Sequence, residues 1–239
     1  MPDPISLLDL TSLNDDDTAA VVDALCVKAI TPAGPVAAVC VMPRFVSVAA
    51  EALDGTGVRV ATVANFPAGE DDADGAARDT ASLVDEGADE VDVVAPWRAH
   101  LAGDHEAVER LVAACAAECP GHLKVILETG SHGDAAATRA MADAALRGGA
   151  AFLKTSTGKV GPGTDLASAR ILLEAVAAHD RPAGVKISGG VRTRADAEAY
   201  LALAEEVMGI AWASPFTFRF GASTLLDDLL ATRAPAAGG

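Results

Sequence analysis

The chain has 239 residues, a formal net charge of -16, 51% hydrophobic residues and 22% charged residues. That length suits one large domain or two small ones, with apolar residues enough for a sizeable core. Such acidity argues against nucleic acid or anionic membrane surfaces as partners, and no apolar run approaches the length of a membrane helix.

The N-terminal MPDPISLLDL has neither a basic start nor a long apolar run, so a cytoplasmic protein with reduced thiols is expected. Cys26, Cys40, Cys115 and Cys119 contain no Cys-x-x-Cys spacing, and Cys115 and Cys119 lie one helical turn apart. The histidines show no metal-ligand spacing either, and no metal or other cofactor is expected.

In chain order, β-like runs occur at residues 5–12, 35–43, 58–66, 89–96, 122–130, 151–158, 184–190 and 218–224. Between them lie segments with apolar residues three and four apart, the period of a helix packed on one face. NDDDTAAVVDALCVKAI opens with Asn and Asp residues suited to capping, and DADGAARDTASLVDEG stops at Gly87. DAAATRAMADAALRGG, TDLASARILLEAVAAH (capped by Thr164 or Asp165) and TRADAEAYLALAEEV continue the plan. Regular alternation of strand and helix implies a parallel sheet, and eight units favour a closed (β/α)8 TIM barrel over a doubly wound open sheet. The expected organisation is one catalytic domain over residues 1–239, with a flexible tail at 234–239.

Lysine is scarce: Lys28, Lys124, Lys154, Lys159 and Lys186 are the only five. Side chains alternate across a strand, and the outer face of a barrel strand must be apolar to pack on helices. In DEVDVV, LKVILET, AFLKTS and GVKIS, that rule turns Asp92, Lys124, Lys154 and Lys186 toward the barrel axis. An interior ion-pair network is a fair reading for Lys124, whose strand also supplies Glu128. Lys154 and Lys186 are each followed by glycines and hydroxyl residues at the strand end where active sites of this architecture form. There STGK (156–159, with Thr157), SGG (188–190) and GAST (221–224) offer backbone N–H groups and hydroxyls suited to phosphate. Lys159 adds a local positive charge.

A nucleophilic lysine must shed its proton, and burial beside a second ammonium lowers its pKa. Lys154 beside Lys186 fits a Schiff base with a carbonyl substrate, with Asp92 moving protons directly or through water. The residues thus suggest metal-free carbon–carbon bond chemistry on a phosphorylated sugar.

The sequence also resembles the Schiff-base (class I) deoxyribose-phosphate aldolases. The resemblance runs in order through DLTSLNDDDT (9–18), CVMPRFV (40–46), VATVANFPAG (60–69), GADEVDVV (87–94), LKVILETG (123–130), FLKTSTGKV (152–160), VKISGGVRT (185–193) and RFGASTLL (219–226). It implies Lys154 as Schiff-base lysine, Lys186 as second active-site lysine and Asp92 as proton relay. It places the phosphate among Thr157, Gly158, Lys159, Gly189, Gly190, Ser223 and Thr224. The implied reaction is reversible cleavage of 2-deoxy-D-ribose 5-phosphate to acetaldehyde and D-glyceraldehyde 3-phosphate. Partners are then a small phosphorylated sugar and short aldehydes, and a homodimer is the expected assembly. Three features depart from the family pattern. Thr224 stands where many members carry serine, Ala95 and Trp97 alter the site wall, and the chain ends in APAAGG where some members carry a relay tyrosine. Its only tyrosine, Tyr200, falls in an expected helix. Another Schiff-base aldolase, a phosphosugar isomerase or a non-catalytic sugar-phosphate sensor remain as alternatives.

Overall fold

The computed structural model describes residues 2–233, and the tail expected at 234–239 lies outside the described residues. Eight parallel strands close into a barrel: β1 (Leu8–Thr11), β2 (Ala38–Val41), β3 (Arg59–Ala64), β4 (Glu90–Val94), β5 (Leu123–Ile126), β6 (Phe152–Lys154), β7 (Gly184–Ser188) and β8 (Phe218–Ala222). Each pairs with its sequence neighbours, and β8 closes on β1. A two-residue antiparallel pairing of Ile30–Thr31 with Gly34–Pro35 sits outside the barrel.

The helices are α1 (Ala19–Lys28), α2 (Val46–Leu53), α3 (Ala73–Asp85), α4 (Trp97–Leu101), α5 (Ala107–Glu118), α6 (Ala135–Gly148), α7 (Leu166–Ala177), α8 (Arg194–Met208) and α9 (Leu225–Ala231). Short polar side chains start most of the long ones by accepting from orphan amides of the first turn. Asp72 accepts from Gly75 N at 2.9 Å, Asp165 from Ser168 N at 2.7 Å, and Thr193 forms a capping box with Asp196. The expected Asn/Asp cap of α1 is displaced: Thr18 takes the amide of Val21, while Asp17 binds Ser12 and Asn14 in the loop after β1. α3 stops before Gly87, whose φ of 106° suits a residue without Cβ.

Alternation divides the strand residues as a barrel requires. Val39, Val41, Val60, Val91, Val93, Val125, Leu153, Val185 and Ile187 belong to the large core cluster between strands and helices. A second, smaller cluster of Ala38, Cys40, Ala61 and Val63, joined by Leu13, lines the inner side of β2 and β3. Elsewhere the interior holds the buried charged groups Asp9, Glu90, Asp92, Lys124, Lys154, Lys186 and Arg219, with the Phe152 ring 5.8 Å from the Arg219 guanidinium. All four cysteines are buried and free. Among the described residues no helix is long and apolar enough to cross a membrane.

Candidate active site

The strand registers set the polar interior. Asp92 on β4 pairs with Lys124 on β5, and Lys154 on β6 pairs with Lys186 on β7, so these inward side chains emerge at matched levels. Their head groups meet on one carboxylate. Asp92 Oδ2 accepts from Lys154 Nζ and Lys186 Nζ, each at 2.7 Å, and Oδ1 accepts from Lys124 Nζ at 2.9 Å. Below them Arg219 bridges Asp9 and Glu90, Lys186 also bonds Asp9, and Lys124 reaches Glu90 at 2.6 Å.

The cluster holds four buried cationic side chains, Lys124, Lys154, Lys186 and Arg219, against three carboxylates, Asp9, Glu90 and Asp92, and the partly exposed Arg59 adds a fifth cation at 2.8 Å from Glu90. A buried excess of positive charge is unfavourable, so one lysine should lose its proton most easily. Partner number selects it. Lys124 faces three carboxylates and Lys186 two, whereas Lys154 has Asp92 alone. The pKa directions follow. Burial depresses Lys154, Asp92 opposes, the Lys186 ammonium adds to the depression, and the result lies below the ordinary lysine value. Burial acts the same way on Lys186 and Lys124, but their carboxylates outweigh it and raise both. Burial alone would raise Asp92; the ammonium groups of Lys124, Lys154 and Lys186 instead hold it well below the usual carboxylate range.

Above this cluster, a cavity of about 330 Å³ opens at the C-terminal strand ends. All seven residues expected to hold phosphate line it: Thr157, Gly158, Lys159, Gly189, Gly190, Ser223 and Thr224. Asn14 and the exposed Arg192 line it too. Gly221 joins the two regions: it lines the cavity, and a Cβ there would lie 2.9 Å from Lys186 Cε.

Two expectations need correction. Glu128 does not pair with Lys124, because β5 ends at Ile126 and Glu128 turns into left-handed backbone with φ 54°. It accepts the Thr157 amide at 3.1 Å instead. The amides of STGK are also only partly free for an anion. Those of Lys159 and Val160 donate to Thr157 Oγ1 at 3.0 and 3.2 Å, while Gly158, Gly190 and Ser223 find no backbone acceptor among the described residues.

Asp9, Arg219 and Arg192 had no expected role. The alternation rule reaches the first two, since Asp9 stands between Leu8 and Leu10, and Arg219 between Phe218 and Phe220, all four fully buried apolar residues. Arg192 follows the glycines of β7 at a loop position where alternation says nothing. Of the altered wall residues, Trp97 begins α4 half-covered by the Arg98 guanidinium, 4.0 Å above its ring. Tyr200 lies buried in α8, and among the described residues no group of three or more His, Cys, Asp or Glu could hold a metal ion.

The fold has known counterparts. The chain is similar to a candidate deoxyribose-phosphate aldolase from Coccidioides immitis, at 29% identity and TM-score 0.86, over 98% of this chain and 88% of that one. It is similar to another such candidate from Toxoplasma gondii ME49, at 25% identity and TM-score 0.84, over 95% and 91% of the respective chains. A tetrameric deoxyribose phosphate aldolase from Aeropyrum pernix matches at 25% identity and TM-score 0.78, over 95% and 89%. The model of the DeoC/LacD family aldolases matches residues 4–231, and with that span covered the chain belongs to this aldolase family.

Proposed function

We propose that this aldolase reversibly cleaves 2-deoxy-D-ribose 5-phosphate to acetaldehyde and D-glyceraldehyde 3-phosphate through a Schiff base on Lys154. The observation that carries the reading is the shared Asp92 oxygen: the one inward lysine with a depressed pKa is held there beside a second, charged lysine. The substrate is supported by the cavity directly above, lined by glycines, hydroxyls and Lys159, and by the names of the similar structures.

In the cleavage direction, the neutral Lys154 amine adds to the C1 aldehyde of the open sugar, and loss of water leaves an iminium. A proton leaves the C3 hydroxyl, the C2–C3 bond breaks, and its electron pair moves into the iminium to give an enamine. Glyceraldehyde 3-phosphate departs. Protonation at C2 restores an iminium, and water releases acetaldehyde and free Lys154. Asp92 carries these protons directly or through water. Lys186 stays charged and keeps the amine neutral. Lys159 and the free amides bind the phosphate, and no cofactor enters the scheme. The whole chain acts as one catalytic domain in the cytoplasm, and a homodimer is the assembly we carry with this reading.

The test is borohydride reduction with acetaldehyde, followed by peptide mapping. One two-carbon adduct on Lys154 is expected. An adduct on Lys186 or Lys124 overturns the assignment, and no adduct from an active enzyme points to an isomerase or to another chemistry.

A further inference from the structure

Glu128 carries two local costs, one in its backbone and one in its side chain. It is one of three non-glycine residues with positive φ among the described residues, which strains the backbone by about 1 kcal/mol or more. Its side chain is fully buried with Oε1 lacking any hydrogen-bond partner, and an idle buried carboxyl oxygen is unfavourable. β5 ends at Ile126, and beyond it Leu127 N still donates to Lys154 O and Thr129 N to Thr155 O, each at 2.9 Å, so the left-handed residue is part of how the chain leaves the strand; the idle Oε1 serves no such purpose. Costs of this kind persist where the surrounding structure holds a group for function.

The left-handed turn opens the 3-10 helix Thr129–Ser131, with the Ser131 amide donating to the Glu128 carbonyl at 2.9 Å, and the side chain makes one hydrogen bond, accepting from the Thr157 amide at Oε2. Thr157 lies three residues after Lys154, and its own hydroxyl gathers the amides of Lys159 and Val160. The turn therefore folds over Thr157, and Thr157 is tied down by Glu128. Gly158, between the tied residues, lines the cavity with its amide free of any backbone acceptor.

We propose that Glu128 is a positioning residue: its carboxyl clamps the Thr157 amide and thereby fixes the turn that presents Gly158 and Lys159 to the phosphate of the substrate. This rests on the reading of the cavity as a phosphate site. Burial raises the Glu128 pKa, with Thr157 and Lys154 opposing. The contact itself needs only an acceptor oxygen, a role that a neutral amide oxygen also fills.

The test reads phosphate affinity without turnover, by calorimetric titration of inorganic phosphate into the full chain. Glu128→Gln keeps length and acceptor and should bind near the wild-type affinity. Glu128→Ala removes the acceptor, and Glu128→Asp keeps the charge but shortens the reach; each should weaken binding by about tenfold or more. With deoxyribose 5-phosphate, both should raise KM more than they lower kcat, and Glu128→Gln should restore KM. If Glu128→Ala does not fold, the Asp and Gln variants carry the comparison. Folded Ala and Asp variants that bind phosphate like wild type, or a Gln variant as weak as Asp, overturn the proposal. A wild type that binds phosphate but does not cleave deoxyribose 5-phosphate would overturn the substrate reading and leave the Glu128 role standing.

Discussion

Lys186→Met tests the central electrostatic claim, because it keeps the bulk of the side chain and removes its charge. Two 2.7 Å bonds to one oxygen hold the nitrogens of Lys154 and Lys186 no more than about 5 Å apart, where two unit charges repel by about 3 kcal/mol at an effective dielectric of about 20. That repulsion favours the neutral form of Lys154. Its loss should shift the balance toward the ammonium by about two orders of magnitude, and Asp92, left with one cation fewer, adds to the same shift. The reactive fraction then falls at neutral pH and recovers as pH rises. The assay is kcat/KM for deoxyribose 5-phosphate against pH, with the rate of borohydride trapping by acetaldehyde as a second readout. The acid limb should move to higher pH and activity at pH 7 should fall about a hundredfold. Removing one partner of a buried ion pair can cost about 3–5 kcal/mol, so a thermal melt must show the variant folded. An acid limb that stays in place, or moves to lower pH, in a folded variant refutes the claim that Lys186 tunes Lys154.

Further outcomes follow from the cavity and its floor. Lys159→Ala should raise KM for deoxyribose 5-phosphate markedly and affect unphosphorylated deoxyribose far less; equal loss on both would move Lys159 out of the phosphate site. Gly221→Ala should press its new methyl against Lys186 Cε and Ser188 Cβ, at 2.9 and 3.0 Å. Lys186 is pinned by Asp9 and Asp92, so the variant should lose about 1–3 kcal/mol of stability, with kcat falling more than KM rises; unchanged kcat would show that Lys186 can yield. Asp9, Glu90 and Asp92 resist protonation in the fold, because their cationic partners outweigh the burial that would raise them. Stability from them is present above the ordinary carboxylate pKa of about 4 and is lost as pH falls below it. The melting temperature should therefore drop steeply below about pH 4, and a flat profile from pH 6 to pH 3 would contradict the buried carboxylate network.

The (β/α)8 order and the inward charges were legible in the sequence, because both depend on local periodicity. A strand packed on helices must be apolar on alternate residues, so a lysine between Leu153 and Thr155, or between Val185 and Ile187, has one way to face. The loops that line the cavity were legible as composition, since glycine and hydroxyl residues cluster at three consecutive strand ends. Strand ends were not. LKVILETG reads as one extended run, yet the strand ends at Ile126; Leu127 and Thr129 still donate to Lys154 O and Thr155 O, while Glu128 between them takes left-handed backbone and accepts from Thr157 on the next strand's loop. Which lysine loses its proton most easily also required the fold. Sequence parity places Lys124, Lys154 and Lys186 equally inward, whereas register and barrel closure distribute Asp9, Glu90 and Asp92 among them. Those carboxylates come from β1 and β4, and Arg219 from β8, so only closure decides that Lys154 has a single counter-charge while its neighbours have two and three. Local patterning sets which way a side chain points; how many opposite charges it meets there is a sum over strands far apart in the chain.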